Sequence, residues 1–417
     1  MEGEIGSGDG RPRPATNVEP ELAAARPRRW FGHAAHDQAP GPFRPSWASP
    51  PRRRPFRGTR AVSSTRPSSE SLVTLDGSRG EGGGQILRTA LTLSLLTGRP
   101  FRISRIRANR DKPGLRPQHK AAVEAAALLG NASVLGCEVG SRDVVFRPGA
   151  VEPRDLTIDV GTAGSTGLIL QTLHLPLAMR AETARRLTLI GGTFNPKAPP
   201  YLFLERTWRA HLATLGMPVA LASPLAGFYP KGGGRLEAWI EPARPKPWVR
   251  TTRGDLARIH GVAGAANLPE HVANRMRDRA HARLSEAGLD VKVEIETASW
   301  SSIGQGAAIG LTAEHAGTAP ATFVGVGERG KPAERVADEA VDELLDFLAV
   351  PDAAVDLHSA DQILLPLALA EGRSVYTVSS VTEHLRTNAA TIAAFLDRPI
   401  EIEEAPADGR PGRVVVG

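Results

Sequence analysis

Two histidines in this chain stand where a side chain can do chemistry. His384 lies in TEHLRTN, at the junction between a strand-like stretch, SVYTVSS, and a helical one. Such a junction exposes a side chain on a rigid base, and a neutral imidazole there is a competent nucleophile near pH 7. His119 closes a basic stretch, NRDKPGLRPQH, directly after Gln118. From Arg88 to Lys120 the chain carries nine Lys or Arg (positions 88, 99, 102, 105, 107, 110, 112, 116 and 120) and one acid, Asp111. Positive charge that dense, set between strands, is a seat for phosphate groups. The same stretch opens with GEGGGQILR, Gly80 to Arg88, in which Glu81 and Gln85 flank three glycines. Gly82, Gly83 and Gly84 leave backbone N–H groups open to an anion just where a helix begins. No GK[ST] follows, so this is not a Walker A loop, and no acid ends the next strand as a dinucleotide-binding unit requires. Taken alone, the glycine run reads equally as a tight turn feeding a helix. Of the other histidines, His33 and His36 lie in the N-terminal stretch, and His174 reads as a packed core side chain. His271, His281 and His315 read as solvated faces.

The elements that must position these groups alternate between strand and helix. Periodicity predicts strands at 72–76, 101–107, 143–147, 155–160, 187–192 and 235–241, and helices at 85–97, 119–129, 164–180 and 198–215. Glycine turns recur near Gly77, Gly161, Gly191 and Gly232, which suggests repeated units of two helices on a small sheet. PARPKPWVRTTRG, 242–254, is a Pro/Arg-rich joint. Beyond it come a strand, a helix from Pro269, three strands and an amphipathic helix at 332–350, together a smaller inserted α+β domain, 252–350. From 351 the chain returns to the large domain. There HSADQILLPLALAEG reads as helix, SVYTVSS as strand, 384–396 as helix, and the C-terminal stretch as two short strands.

Composition bounds the function. With 417 residues, 41% hydrophobic, the chain can bury a large core in two domains. Its one cysteine, Cys137, excludes an intramolecular disulfide and a Cys-cluster zinc site, and fits a reducing, cytoplasmic setting. No apolar run reaches the length of a membrane span, and the N-terminal stretch has no signal-peptide apolar region. Residues 1–70 hold 12 Arg and 7 Asp or Glu, hence five of the six net positive charges. They also hold 11 Pro and few aliphatic residues, so a disordered Arg/Pro-rich tail is expected there rather than an RNA-tethering arm. The remaining 347 residues hold 39 Lys or Arg and 38 Asp or Glu, so any nucleic-acid site in the body rests on local clustering.

LDGSRGEGGGQILR followed by IRANRDKPGLRPQH resembles the RNA 3′-terminal phosphate cyclase family. The resemblance continues in order through GTAGSTGLILQT (161–172), GGTFNPKAPP (191–200), GFYPKGGG (227–234), HSADQILLPLAL (358–369) and TEHLRTN (382–388), and covers the chain from about Leu72 to its C-terminus. It implies an α/β (α+β) fold. A large domain, 71–251 and 351–417, would hold three repeated βαβαββ-type units, a unit shared with enolpyruvyl transferases and the C-terminal domain of bacterial initiation factor three. A smaller α+β domain would be inserted in it. It implies conversion of an RNA 3′-phosphate to a 2′,3′-cyclic phosphate with ATP, through a histidine–AMP intermediate, with a divalent metal, Mg2+ or Mn2+. By position, His384 corresponds to the nucleophile. Gln171, His358, Ser359, Ala360, Asp361 and Gln362 correspond to the ATP site. Arg88, Arg107, Arg110, Gln118 and His119 correspond to phosphate or RNA contacts, Glu81 to a residue at or near the metal, and Gln85 to a supporting one. The partner implied is RNA with a 3′-phosphate end, with no membrane and no obligate protein partner. Ala226 and Phe194 depart from the family pattern, which more often has a basic residue and a small or polar one there. Two other readings compete. A catalytically silent cyclase-like protein of ribosome biogenesis would lack the nucleophilic histidine, and an enolpyruvyl transferase would need none.

Overall fold

Alternation of buried and exposed positions sets the first sheet. In β1 (Val73–Asp76) and β2 (Phe101–Ser104), Val73, Leu75, Phe101 and Ile103 face inward while Thr74 and Arg102 face water. The two strands run parallel across the crossover helix α1 (Gly84–Thr97). Helix α2 (Pro117–Gly130) starts on a proline and ends at Asn131 in the left-handed conformation, φ 44°. β3 (Ser133–Leu135) and β4 (Val144–Arg147) complete a sheet of order β1-β2-β4-β3. The computed structural model describes residues 72–80, 84–404 and 410–417. The expected tail, 1–70, and Glu81, Gly82 and Gly83 lie outside them.

The second unit repeats this plan. β5 (Leu156–Asp159), α3 (Thr166–Arg180) and β6 (Arg185–Gly191) form the parallel crossover. A helix follows in three pieces: α4 (Tyr201–Phe203), a π-helical turn Leu204–Trp208, and α5 (Arg209–Thr214). β7 (Val219–Leu225) and β8 (Gly234–Ile240) close the order β5-β6-β8-β7.

The third unit is split. Its first strand is only β9 (Val249–Arg250), inside the Pro/Arg-rich joint. The chain then leaves to build β10 (Leu256–Ala266), α6 (His271–Glu286), β11 (Lys292–Ser299), β12 (Gly306–His315), β13 (Ala321–Val326) and α7 (Ala333–Leu348), a sheet of different order, β11-β10-β12-β13. It returns through α8 (Ser359–Gln362) and α9 (Leu364–Leu369) to β14 (Ser374–Val378), which pairs parallel with β9. Helix α10 (Glu383–Phe395), β15 (Ile400–Glu403) and β16 (Gly412–Val416) finish the unit. Read from β9, its order is β9-β14-β16-β15, the same as in the first two. The fold is therefore the expected α/β (α+β) one: three βαβαββ units and an inserted sheet with two helices.

One apolar cluster joins the three units, with Leu87 and Leu91 of α1, Ile169 and Leu173 of α3, and Leu385 and Ile392 of α10. The inserted sheet packs its own cluster, Ile309, Leu311 and Phe323 against Met276 of α6 and Leu344 and Phe347 of α7. A third cluster fills the seam between the second unit and the insert. There Phe194 stacks on Phe228 and Trp300, with ring centroids 5.0 and 4.8 Å apart, and Ala226 belongs to the same cluster. Among the described residues no helix is long and apolar enough to cross a membrane.

Several sequence expectations are corrected. β2 stops at Ser104 rather than 107, because Arg105 and Arg107 both take φ 55°, which ends an extended strand. The helix expected over 358–372 breaks into α8 and α9. β3, β7 and β9 form where the periodicity predicts no strand. His315 is buried, not solvated: it stands edge-on to Phe347 at 5.8 Å, and burial, with Arg253 nearby, pushes its pKa down to about 4. His174 is the packed side chain expected, 5.1 Å from the Trp208 ring.

Candidate active site

Helix α10 begins at a threonine cap: Thr382 Oγ1 accepts from Leu385 N at 3.2 Å. This puts His384 in the first turn, exposed. Its Nδ1 lies 2.9 Å from Gln85 Oε1 on α1, and Gln85 Nε2 donates to Asp361 Oδ2 at 2.6 Å. An ionised carboxylate only accepts, so it draws the amide nitrogen of Gln85 and turns the amide oxygen toward His384. Nδ1 then carries the proton, and Nε2 keeps its lone pair. One helical turn further on, Thr89 Oγ1 donates to Asn388 Oδ1 at 2.7 Å, and Asn388 Nδ2 donates to Asp361 O at 2.7 Å. Gln85 and Thr89 share a face of α1, as His384 and Asn388 do of α10. The two helices are thus joined by a ladder of two polar rungs, both tied to Asp361.

Asp361 sits in the short turn α8, which Asp356 builds. Asp356 Oδ1 accepts from the backbone N–H groups of His358 and Ser359, each at 2.9 Å, and Oδ2 accepts from Ser359 Oγ at 2.6 Å. Tyr376 OH donates to Ala360 O at 2.8 Å. Burial pushes the Asp361 carboxyl up to about 7, against the pull of His358 and Arg88. Burial also disfavours the charged form of His358. The Glu343 carboxylate, 2.9 Å from its Nε2, together with Asp356 and Asp361, outweighs this and raises its pKa. Gln362 Nε2 donates to His358 O at 2.7 Å, while its Oε1 accepts from Gln171 Nε2. A cavity of about 80 Å³ opens among Gln85, Arg88, Gln171, Asp361, Gln362 and Asn388, floored by His174, Trp208 and Leu365. The Arg88 guanidinium lines it with no hydrogen-bond partner among the described residues. Burial pushes its pKa down to about 10, countered by Asp361. It remains a cation, placed for an anion.

The basic loop supplies a second face. His119 is buried at the start of α2, and its Nδ1 accepts from Arg116 N at 3.0 Å. Burial first, then Arg88, Arg107 and Arg116, pushes its pKa down to about 3, so the ring is neutral and Nε2 bears the proton. That N–H lies beside Gly84: a Cβ there would be 3.0 Å from Nε2 and 3.4 Å from Arg88 Nη1. The bare glycine leaves a concave spot at the N-terminus of α1 between two donors. Gln118 Oε1 accepts from Ser165 N at 3.2 Å and ties α2 to the start of α3. Arg107 donates from Nη1 to Lys112 O at 2.6 Å and Gly114 O at 3.2 Å, so it braces the loop it belongs to. Arg107, Arg110, Asp111, Lys112 and Arg116 surround an open basin of about 370 Å³.

The structure therefore gathers His384, Gln85, Arg88, Gln171, Asp361 and Gln362 around one cavity and its rim. It sets Arg107 and Arg110 in the basin and His119 against the start of α1. Sequence reasoning missed Asn388, Thr89, Asp356 and Glu343. The first two had a signal, since each stands four positions after a residue already singled out, on the same helix face. Among the described residues no three His, Cys, Asp or Glu converge on one point. Glu81, the carboxylate expected beside a metal, lies outside them.

Comparison with known proteins gives a consistent picture. The model of the family described as RNA 3′-terminal phosphate cyclase matches residues 79–402. The chain is 44% identical over 334 residues to the RNA 3′-terminal phosphate cyclase of Caldivirga maquilingensis, covering 79% of this chain and 94% of that protein. It is 42% identical over 332 residues to that of Archaeoglobus fulgidus, covering 80% and 98%. It is 43% identical over 346 residues to that of Ralstonia nicotianae, covering 82% and 97%.

Proposed function

The chain belongs to the RNA 3′-terminal phosphate cyclase family, and on that premise we propose that it converts an RNA 3′-phosphate into a 2′,3′-cyclic phosphate at the expense of ATP, with His384 as nucleophile. His384 Nε2 attacks the α-phosphorus of ATP; a P–N bond forms, and the bond to the pyrophosphate oxygen breaks. The adenylyl group passes from Nε2 to an oxygen of the RNA 3′-phosphate. The neighbouring 2′-OH then attacks the 3′-phosphorus, the cyclic diester closes and AMP leaves. Adenylation makes AMP the leaving group in place of a poor phosphate oxygen, and the 2′-OH is already held at high effective concentration.

The observation that carries this reading is the hydrogen-bond chain from Asp361 through Gln85 to His384 Nδ1. It leaves Nε2 unprotonated on an exposed imidazole beside a cavity that holds an arginine without a hydrogen-bond partner among the described residues. Arg88, His119 and Arg110 would take phosphate groups, and Gln171, His358, Ser359, Ala360 and Gln362 the adenosine side of ATP. In the same reading the catalytic domain is 71–251 with 351–417, and 252–350 is an insertion whose Glu343 steadies His358.

The test is incubation with ATP labelled at the α-phosphate and a divalent metal, read on a denaturing gel. The expected result is an acid-labile labelled band that His384→Ala abolishes. Label that persists in His384→Ala would move the nucleophile elsewhere. No label on the folded wild-type protein, with several metals tried, would favour the catalytically silent, ribosome-biogenesis reading.

A further inference from the structure

The three loops at one end of the second unit form a surface that the reaction scheme above does not use. GTAGS, 161–165, follows β5; GTFNPKAPP, 192–200, follows β6; GFYPKGGG, 227–234, joins β7 to β8. They lock onto one another at Ala163. Asn195 Nδ2 donates to Ala163 O at 2.6 Å, and Gly232, at φ 63°, lies so close that a Cβ would sit 2.6 Å from the Ala163 Cα. Phe194 N donates to Gly227 O at 3.0 Å, and Phe228 is anchored in the stack with Phe194 and Trp300. On this rigid base Tyr229 stands 75% exposed, the most exposed large hydrophobic side chain among the described residues, and its hydroxyl has no partner there. Lys231, two residues on, is exposed with its Nζ 3.3 Å from Ile303 O, and Lys197 is exposed on the neighbouring loop, whose Phe194 bridges to Phe228. None of the three loops contains an Asp or Glu. The first loop continues into Ser165, whose N–H is held by Gln118, next to His119. The platform therefore adjoins the start of α2, where the basic loop ends.

We propose that Tyr229 is a stacking platform for a nucleobase of the RNA strand a few nucleotides before its 3′ end, with Lys231 and Lys197 taking the adjoining backbone phosphates. This rests on the RNA-end reading of the active site and adds to it where the strand runs. A large aromatic held out in water by a fixed backbone loses little freedom on stacking and accepts any base. Acid-free, lysine-bearing loops suit a polyanion. A 3′-phosphate held only at its end would leave the rest of the strand without a guide, and this surface supplies one beside the basic loop.

The experiment is a cycle of variants and RNAs. Fluorescent RNA of about ten nucleotides with a 3′-phosphate is titrated against the full chain by anisotropy. The RNA carries an abasic site at each of the last four upstream positions in turn. With the wild-type chain, one abasic position is expected to weaken binding on the order of ten-fold. Tyr229→Ala should weaken binding to intact RNA by a similar factor and lose the discrimination at that position, while Tyr229→Phe should keep both. Equal weakening by Tyr229→Ala on intact and abasic RNAs at every position would overturn the proposal, as would no weakening at all. Because binding is read without turnover, absence of histidine–AMP chemistry would defeat the proposed reaction and leave this result to stand or fall separately.

Discussion

Replacing Asp361 by Asn removes one ionisation and keeps the shape of the side chain, so it isolates what the carboxylate does for His384. In the folded protein the carboxyl is pushed up from 3.8 to about 7 by burial. Because the folded state holds this proton more tightly than the unfolded chain, stability falls as pH rises between about 4 and 7 and stays low above. A net shift of about three units, the pull of Arg88 and His358 already included, sets a ceiling of about 4 kcal/mol at ~1.4 kcal/mol each. Asp361→Asn should therefore be more stable than wild type at pH 8, by up to about 4 kcal/mol, and no more stable at pH 4. Its activity should move the opposite way. A neutral acceptor holds the Gln85 amide less firmly than a carboxylate, by about 1–1.5 kcal/mol, which is roughly ten-fold in the rate of self-adenylation at pH 8. The acid limb of the wild-type rate should also carry the Asp361 ionisation near 7, which the variant lacks. Urea unfolding at pH 4 and 8, with initial rates of label incorporation across pH, reads all three quantities. A variant that is destabilised at pH 8, or that labels at the wild-type rate with an unchanged acid limb, would refute the argument that Asp361 orients His384 through Gln85.

Two further substitutions probe the surroundings. Gly84 is the first residue of α1 and does not take a positive φ, so Gly84→Ala should leave the fold intact. Its methyl would sit 3.0 Å from His119 Nε2, and KM for ATP or for the RNA end should rise at least several-fold; steady-state kinetics unchanged for both would mean that no phosphate uses this spot. Asn388→Ala cuts the bonds to Thr89 and to the Asp361 carbonyl and should cost about 2–4 kcal/mol in chemical denaturation, since buried partners are left unpaired. A loss under about 0.5 kcal/mol would show that the second rung of the ladder does not hold α1 to α10.

What the sequence determined by itself was local. The alternation in VTLD and FRIS, the long apolar helices and the glycine turns specify the elements of the first two units. A threonine followed by EHLRTN specifies a helix start with a histidine in its first turn. The density of arginine from Arg88 to Lys120 specifies an anion-seeking loop, whatever the fold around it. Tertiary structure decided what these parts do together. His384 meets Gln85 across 299 positions, Gln85 meets Asp361 across 276, and Gln171 meets Gln362 across 191. No spacing rule reaches that far, because such pairs form only where packed helices bring two faces together. β9 is too short for any periodicity to reveal it. It is a strand because β14 lies beside it, and Trp248 N finds Ser374 Oγ 126 positions away. His315 reads as an ordinary polar residue at a strand end until Phe347 and Arg253 close over it. The protonation states follow the same division: a side chain's identity sets its ordinary pKa, but burial beside named neighbours raises Asp361 and keeps His119 neutral, and burial is a property of the packed chain alone.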